Sequence, residues 1–307
     1  MMLIYIVRRL LQMIPVLLGV ILVVFLVMQL VPGDPAALLA GDGASTETIE
    51  RIRHQLGLDQ PIITQYVRYV ADVAHGELGL SLRSNRPVLN EIMIRLPVTI
   101  ELAVASIAIT IVLGMLAGIV SATRQYSAAD FTIMIAALLG VSLPSFCLGL
   151  LLIYCFAVKM QLFPVAGWGT WKHIVLPAIT LGAAGAAIVA RMTRSSMLDV
   201  IRQDYIRTAK AKGLAASIVI YKHALKNALI PVITVVGLQF GVLLGGTVVV
   251  ESVFAINGLG RLIVDAIRMR DLPVVQGGVL VASVIFVLVN LAVDILYRSF
   301  NKRIEME

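Results

Sequence analysis

Residues 102–123 read LAVASIAITIVLGMLAGIVSAT, a run of 22 residues without a charged side chain. A helix rises about 1.5 Å per residue, so about 20 apolar residues cross a hydrocarbon core of about 30 Å. A membrane-spanning strand would need only about 9–11 residues and would alternate apolar with polar, which this run does not. It is read as a transmembrane helix. Further charge-free runs are Leu10–Gly33 (24 residues), Phe131–Val158 (28), Ile174–Ala190 (17), Leu229–Val250 (22) and Val274–Val293 (20). Ile174–Ala190 sits at the short limit and borrows the aliphatic stems of flanking basic residues, which snorkel. Phe131–Val158 is too short to span twice and is expected as one long helix bent at Pro144. The fold class that follows is all-α: a polytopic membrane protein with six transmembrane helices.

Composition agrees. Of 307 residues, 59% are hydrophobic and 14% charged, and the mean hydropathy is +0.95. A soluble domain carries about 25% charged residues. This excludes an ordinary soluble enzyme, a disordered chain and a disulfide scaffold. The first run is no signal peptide, whose apolar core is roughly 7–15 residues ahead of a small-residue cleavage site; here the run ends in Val31-Pro32-Gly33-Asp34. Cys147 and Cys155 lie eight residues apart on the third span. That spacing is about 12 Å along a helix, too far for a bridge, and both are expected in the core.

The net charge of +7 reads as topology. With a cytoplasmic N terminus, six spans return the C terminus to the cytoplasm. The inner segments 1–9, 121–130, 191–228 and 298–307 then carry 14 Lys and Arg in 67 positions, and the other 11 are spread over longer outer segments. That is the sense of the positive-inside rule. The basic residues form no long run interleaved with aromatics, so nucleic acid is not an expected partner. The organisation expected is a tail and first helix over 1–31, an external region over 32–96, and a five-helix core over 97–307. The external region should contain a short helix, Thr46–Gln55, capped by Ser45 and broken at Gly57 and Pro61. Trp168 and Trp171 fall where interfacial aromatics sit.

The inner segment 191–228 is the most informative. Met197, Ile201, Tyr205 and Ala209 recur every four residues as one helical stripe, with Arg202, Arg207, Lys210 and Lys212 in other directions. Gly213 follows the basic last turn, as helix stops do. A second stripe begins with Ile218, Tyr221 and Leu225. Periodicity alone favours an amphipathic hairpin lying on anionic lipid. The alternative is a helix hairpin that docks in another protein's groove.

The residues themselves carry a resemblance. DYIRTAKAKGL (Asp204–Leu214), followed by HALKNALIPV (His223–Val232), resembles the cytoplasmic coupling motif of ABC importer permeases. GDPA (Gly33–Ala36), LGLDQP (Leu56–Pro61), GELGLS (Gly76–Ser81), ESVFAINGLGRL (Glu251–Leu262) and RDLPV (Arg270–Val274) are similar to the dipeptide/oligopeptide/nickel branch of that family, in the subunit type with a long first outer loop. Thr208 replaces one of the usual small residues, Arg207 stands where relatives carry glutamate, Pro231 comes late, and Asn257 replaces a proline.

The resemblance implies a type I ABC importer permease architecture in the bacterial inner membrane, with both termini cytoplasmic. It implies a second, homologous permease that completes the pathway, two ATP-binding subunits docked beneath, and an extracytoplasmic solute-binding protein that delivers cargo, with peptides the best guess. Coupling would run through the 196–226 hairpin, with Tyr205, Arg207, Thr208, Ala209, Lys210 and Gly213 as its site residues. The chain has no GxxxxGK[ST] loop, so ATP and Mg are expected on the partner subunits and no cofactor on this chain.

Gly237, Gly241 and Gly245, spaced by four in the fifth span, permit close helix contact or line the pathway; Gly114 and Gly118 do the same in the second span. Glu101 and Asp294 near span ends are read as structural pairs or snorkelling acids. His54, His75, His173 and His223 lack metal-ligand spacing, and no HExxH, GxSxG or paired membrane aspartates appear. No catalytic or metal site is therefore expected. The remaining alternative is a stand-alone channel or gradient-driven carrier, though carriers usually show buried charges and broken helices near the midplane.

Overall fold

The structure is a computed structural model that describes residues 2–30, 34–40 and 43–300. Helices run in the order α1 (Met2–Leu30), α2 (Pro35–Ala40), α3 (Thr46–Leu56), α4 (Ile62–Ala74), α5 (Val88–Thr123), α6 (Ala128–Ser142), α7 (Ser145–Leu152, continued by a π-helical turn Ile153–Lys159) and α8 (Trp171–Ile201). There follow α9 (Asp204–Ala211), α10 (Ala216–Ile218, continued by a π-helical turn Val219–Ala224), α11 (Leu225–Val253), α12 (Leu259–Met269) and α13 (Leu272–Phe300). Among the described residues the only β-type pairing is an isolated bridge between Leu80 and Pro87. Gly33 of the Gly33–Ala36 motif, the tail 301–307 and the side chain of Asp294 lie outside the described residues.

Five stretches are long and apolar enough to cross a membrane: Val7–Val27, Val88–Thr123, Trp171–Ile201, Ala216–Leu243 and Leu272–Val293. The sixth expected span departs from the single bent helix. It is two helices, α6 and α7, whose axes differ by 111° at Leu143–Pro144. Pro144 has no N–H to donate, and it holds Leu143 in an extended conformation (φ −80°, ψ 125°). Both halves nevertheless pack on α8. Asp130 meets Arg194, Gly140 packs at Ala187, and Gly149 packs at Thr180. Arg194 to Thr180 is about 21 Å of helix.

The chain divides into two compact units. One comprises Met1–Pro97 with Gly258–Val287. Its core holds Val88, Ile92, Leu259, Ala266, Val274 and Val275. Here the Gly76–Ser81 and Arg270–Val274 motifs meet across 190 residues of sequence: the Ser81 hydroxyl donates to Asp271 Oδ2 at 2.5 Å, and the Leu82 N–H donates to Asp271 Oδ1 at 3.0 Å. Ser45 caps α3 by accepting from the Thr48 N–H, and Gly57 ends it in the left-handed region (φ 68°). Arg53 pairs with Asp34 at 2.6 Å, a hydrogen bond that raises the guanidinium further above its already high value.

The other unit comprises Val98–Asn257 with Leu288–Glu307. Its core gathers Leu102, Leu176, Leu181, Leu243, Val250, Phe254 and Ile256. Helices α5 and α8 approach closely because small residues face each other. A Cβ on Gly118 would lie 2.5 Å from Thr193 Cβ, and one on Gly114 would lie 2.7 Å from Val189 Cβ. The Thr110 hydroxyl donates to the Gly182 carbonyl at 3.0 Å. Helix α5 begins well before the charge-free run, passing through Pro97 and Glu101; Glu101 accepts from the Trp168 indole N–H at 3.2 Å. Cys147 is half-buried and Cys155 exposed, so neither sits in the core expected of both. Thr99 donates to Glu251 at 2.6 Å, and that carboxylate is fully buried.

Candidate functional site

The inner segment folds as an elbow. Helix α8 stops at Ile201, Arg202 and Gln203 break it, and α9 restarts at Asp204. Asp204 in the first turn and Lys210 in the last complement the helix dipole. At Gly213 the backbone enters the left-handed region (φ +77°), and its N–H bonds to the Lys210 carbonyl at 3.0 Å. The chain then reverses into α10, whose π-helical turn passes without interruption into α11. The second limb of the hairpin is thus the lower end of the fifth span. The elbow is joined to α11 by helix and not by a loop.

The four-residue stripe is not one continuous helical face. Met197, Ile206 and Ala209 are buried with Ala122, Val219, Ala224 and Ala228. Ile201 is half-buried and Tyr205 is exposed, because the break at Arg202–Gln203 rotates α9 relative to α8. In the second limb Val219, Ala224 and Ala228 are inside while Ile218 and Tyr221 face outward. Ala209 is therefore a packing residue on the underside of α9.

The outer surface of α9 carries Tyr205, Arg207, Thr208 and Lys210, all exposed. Tyr205 is fastened by Asn227, whose Nδ2 donates to its hydroxyl at 2.8 Å. Thr208 donates to the Asp204 carbonyl at 3.0 Å. Arg207 lies 3.5 Å from Asp204 in an exposed pair, which adds little stability. Arg202, Arg207, Lys210 and Lys212 leave this face basic, and among the described residues its hydrogen-bond and ion-pair partners are Asn227 and Asp204.

A buried ion pair fixes the helix ends above the elbow. Arg194 Nε and Nη2 donate to the two Asp130 oxygens at 2.8 Å each. Ser121 also donates to Asp130, as does the Tyr126 N–H at 3.0 Å. Asp130 is 4% exposed. This network joins the end of α5, the start of α6 and the lower half of α8. It was not foreseen from sequence: Asp130 and Arg194 are 64 residues apart and share no motif. The one available signal was that each acid or base flanking a short inner segment needs a counter-ion.

The glycine stripe on α11 separates into different environments. A Cβ on Gly237 would lie 2.2 Å from Val293 Cγ1, so this position packs on α13. Gly241 is half-buried, and Gly245 is exposed with open space around it. Leu238, Val242 and Val249 are exposed on the same face as Gly241 and Gly245. That face is apolar and largely exposed. Among the described residues no group of three or more His, Cys, Asp or Glu is placed to hold a metal ion.

The fold is that of an ABC importer permease. The inward-facing MetNI methionine ABC transporter shares it with a TM-score of 0.56 at 21% identity, over 66% of this chain and 93% of that one. The sequence extends the likeness. Residues 111–306 match the family described as binding-protein-dependent transport system inner membrane component, and residues 2–103 match its N-terminal family. The chain is 48% identical over 300 residues to the glutathione transport system permease protein GsiC of Escherichia coli (strain K12), covering 98% of both. The protein of the same name from Shigella flexneri serotype 5b (strain 8401) matches equally. The chain belongs to the binding-protein-dependent transport system inner membrane component family, in the peptide and nickel branch of ABC importer permeases. It is a multi-pass inner-membrane transport subunit, of a family that works with ATPase and solute-binding-protein partners.

Proposed function

We propose that this chain is one of two similar permease subunits that enclose a pathway for short peptides, and that it is driven by two ATP-binding subunits through the elbow at 196–226. The single observation that carries the coupling role is the elbow itself: an exposed basic face on α9, a buried apolar underside, and a second limb continuous with α11. Such an element transmits a push without bending. ATP and Mg bind the partner subunits, and both termini lie in the cytoplasm with the elbow. The exposed face of Leu238, Gly241, Val242, Gly245 and Val249 supports α11 as a wall shared with the second permease or with the pathway. Identity of 48% to a glutathione permease favours tripeptides of that kind, with dipeptides and longer peptides as the neighbouring classes. The 111° break in the third span and the buried Glu251 carboxylate are features shared with broken-helix carriers.

The test is purification of the tagged chain from its native membrane in mild detergent, followed by reconstitution. The expected result is recovery of a second permease and P-loop ATPases, and uptake of labelled glutathione or dipeptide only with ATP and a binding protein. Recovery of the chain alone, moving solute without ATP, would establish the carrier class instead.

A further inference from the structure

Helix α4 belongs by sequence to the 65-residue region 32–96, which composition alone places outside the membrane. It turns polar side chains toward a cavity and leaves apolar ones on its outer surface. Gln65, Arg68, Tyr69 and Asp72, at the i, i+3, i+4 and i+7 spacing of one face, line a cavity of about 660 Å³ within the first compact unit. The Tyr69 hydroxyl is buried there with no hydrogen-bond partner among the described residues. The other face points away from the protein. Ile63 is 78% exposed, Val67 60% and the adjoining Ile62 58%. The outward stripe Ile63, Val67, Ala71 and Ala74, with Thr64 beside it, is largely apolar, while Tyr66, Tyr69, Val70 and Val73 are half-buried.

The position of α4 identifies what that stripe faces. It packs on α1 at the level of the apolar stretch Val7–Val27. The Tyr66 hydroxyl donates to the Leu18 carbonyl at 3.4 Å. The Phe25 ring lies 5.5 Å from the Tyr66 ring and 6.1 Å from the Tyr69 ring. At the upper end Gln29 donates to Gln65 at 3.2 Å. Leu18 is nine residues, or about 14 Å, below Val27 on α1. These contacts seat α4 beside the outer half of α1, which exposes Val23, Leu26 and Val27, the residues a spanning helix presents to acyl chains.

We propose that α4 lies in the bilayer at the outer end of the first span, with Ile63 and Val67 against lipid and Gln65, Tyr69 and Asp72 walling the cavity behind it. The occupant of the exposed face is the lipid interface. In this position α4 braces the first span and holds the polar cavity of this region at the membrane surface.

The test uses the full chain in vesicles of phosphatidylethanolamine and phosphatidylglycerol, with Cys147→Ser and Cys155→Ser as background. Nitroxide labels are placed by Ile63→Cys, Val67→Cys and, on the polar face, Arg68→Cys, and collision with oxygen and with a water-soluble nickel chelate is measured. The expected result is an oxygen-to-nickel ratio several-fold higher at 63 and 67 than at 68. Equal, nickel-favouring ratios at all three would overturn the proposal by showing a water-facing helix. Low collision with both reagents at 63 and 67 would overturn it in favour of a protein partner. As a second measurement independent of labelling, Ile63→Trp in brominated lipid should show an emission component quenched by the bromines; absence of that component also overturns the proposal.

Discussion

Gly213→Val tests whether the elbow needs its left-handed corner. A Cβ built on Gly213 meets no atom within 4 Å, so the substitution is not blocked by space. Its cost is conformational. At φ +77° a residue with a Cβ is destabilised by roughly 1–2 kcal/mol, and a β-branched one lies at the unfavourable end. That shifts the equilibrium between the formed and frayed corner by a factor of about 5–30. Asparagine visits this region with less strain, so Gly213→Asn is the matched control. The assay is uptake and ATP hydrolysis measured together in proteoliposomes holding the assembled transporter. Valine should lower solute moved per ATP by up to about 5- to 30-fold, with membrane insertion intact, while asparagine stays near the parent value. Full coupling in the valine variant, or equal loss in both, would refute strain at this corner as the requirement.

Asp130→Asn leaves Arg194 without its charged partner in a site where Asp130 is 4% exposed. Arg194 keeps 24% of its side chain exposed, so the loss stays below the roughly 3–5 kcal/mol of a fully buried pair; the detergent melting curve should shift down, and a variant with both residues replaced by apolar ones should recover part of the loss. Gly118→Leu must push apart α5 and α8, since even a Cβ there falls 2.6 Å from the Ala190 carbonyl oxygen, and size-exclusion profiles should show loss of the folded peak. Gly245→Leu has open space within the chain and should leave that profile intact while reducing recovery of the second permease. Cysteine labels at Lys210 should react only from the cytoplasmic side and labels at Ser84 only from outside; the reverse pattern would invert the topology.

The spans were legible because a charge-free stretch of about 20 residues has few alternatives to crossing a bilayer. Their ends were not. Helix α5 begins at Val88 rather than near Leu102, because Glu101 and Arg95 find partners in Trp168 and Glu91 and so do not stop a helix. The break at Pro144 was placed correctly, but its 111° angle depends on how each half packs against α8, which no local pattern records. The inner hairpin was visible through Gly213 and the basic residues. The rotation that turns Tyr205 outward and Ile206 inward was hidden, since a four-residue repeat carries through a two-residue break unchanged. Asp130 with Arg194 and Ser81 with Asp271 join residues far apart in sequence, which pair by tertiary packing alone. The amphipathic pattern of α4 can be read from its residues, but not which face is turned inward.

The central claim is that the α9 elbow transmits the work of an ATPase. Its most direct test is a photocrosslinking side chain at Thr208, on the exposed face of α9, activated in intact native membranes. The predicted product joins this chain to a P-loop ATPase subunit, with a yield that changes when ATP is trapped. A product formed with lipid alone, whatever the nucleotide, would return the elbow to the membrane surface and contradict the coupling role.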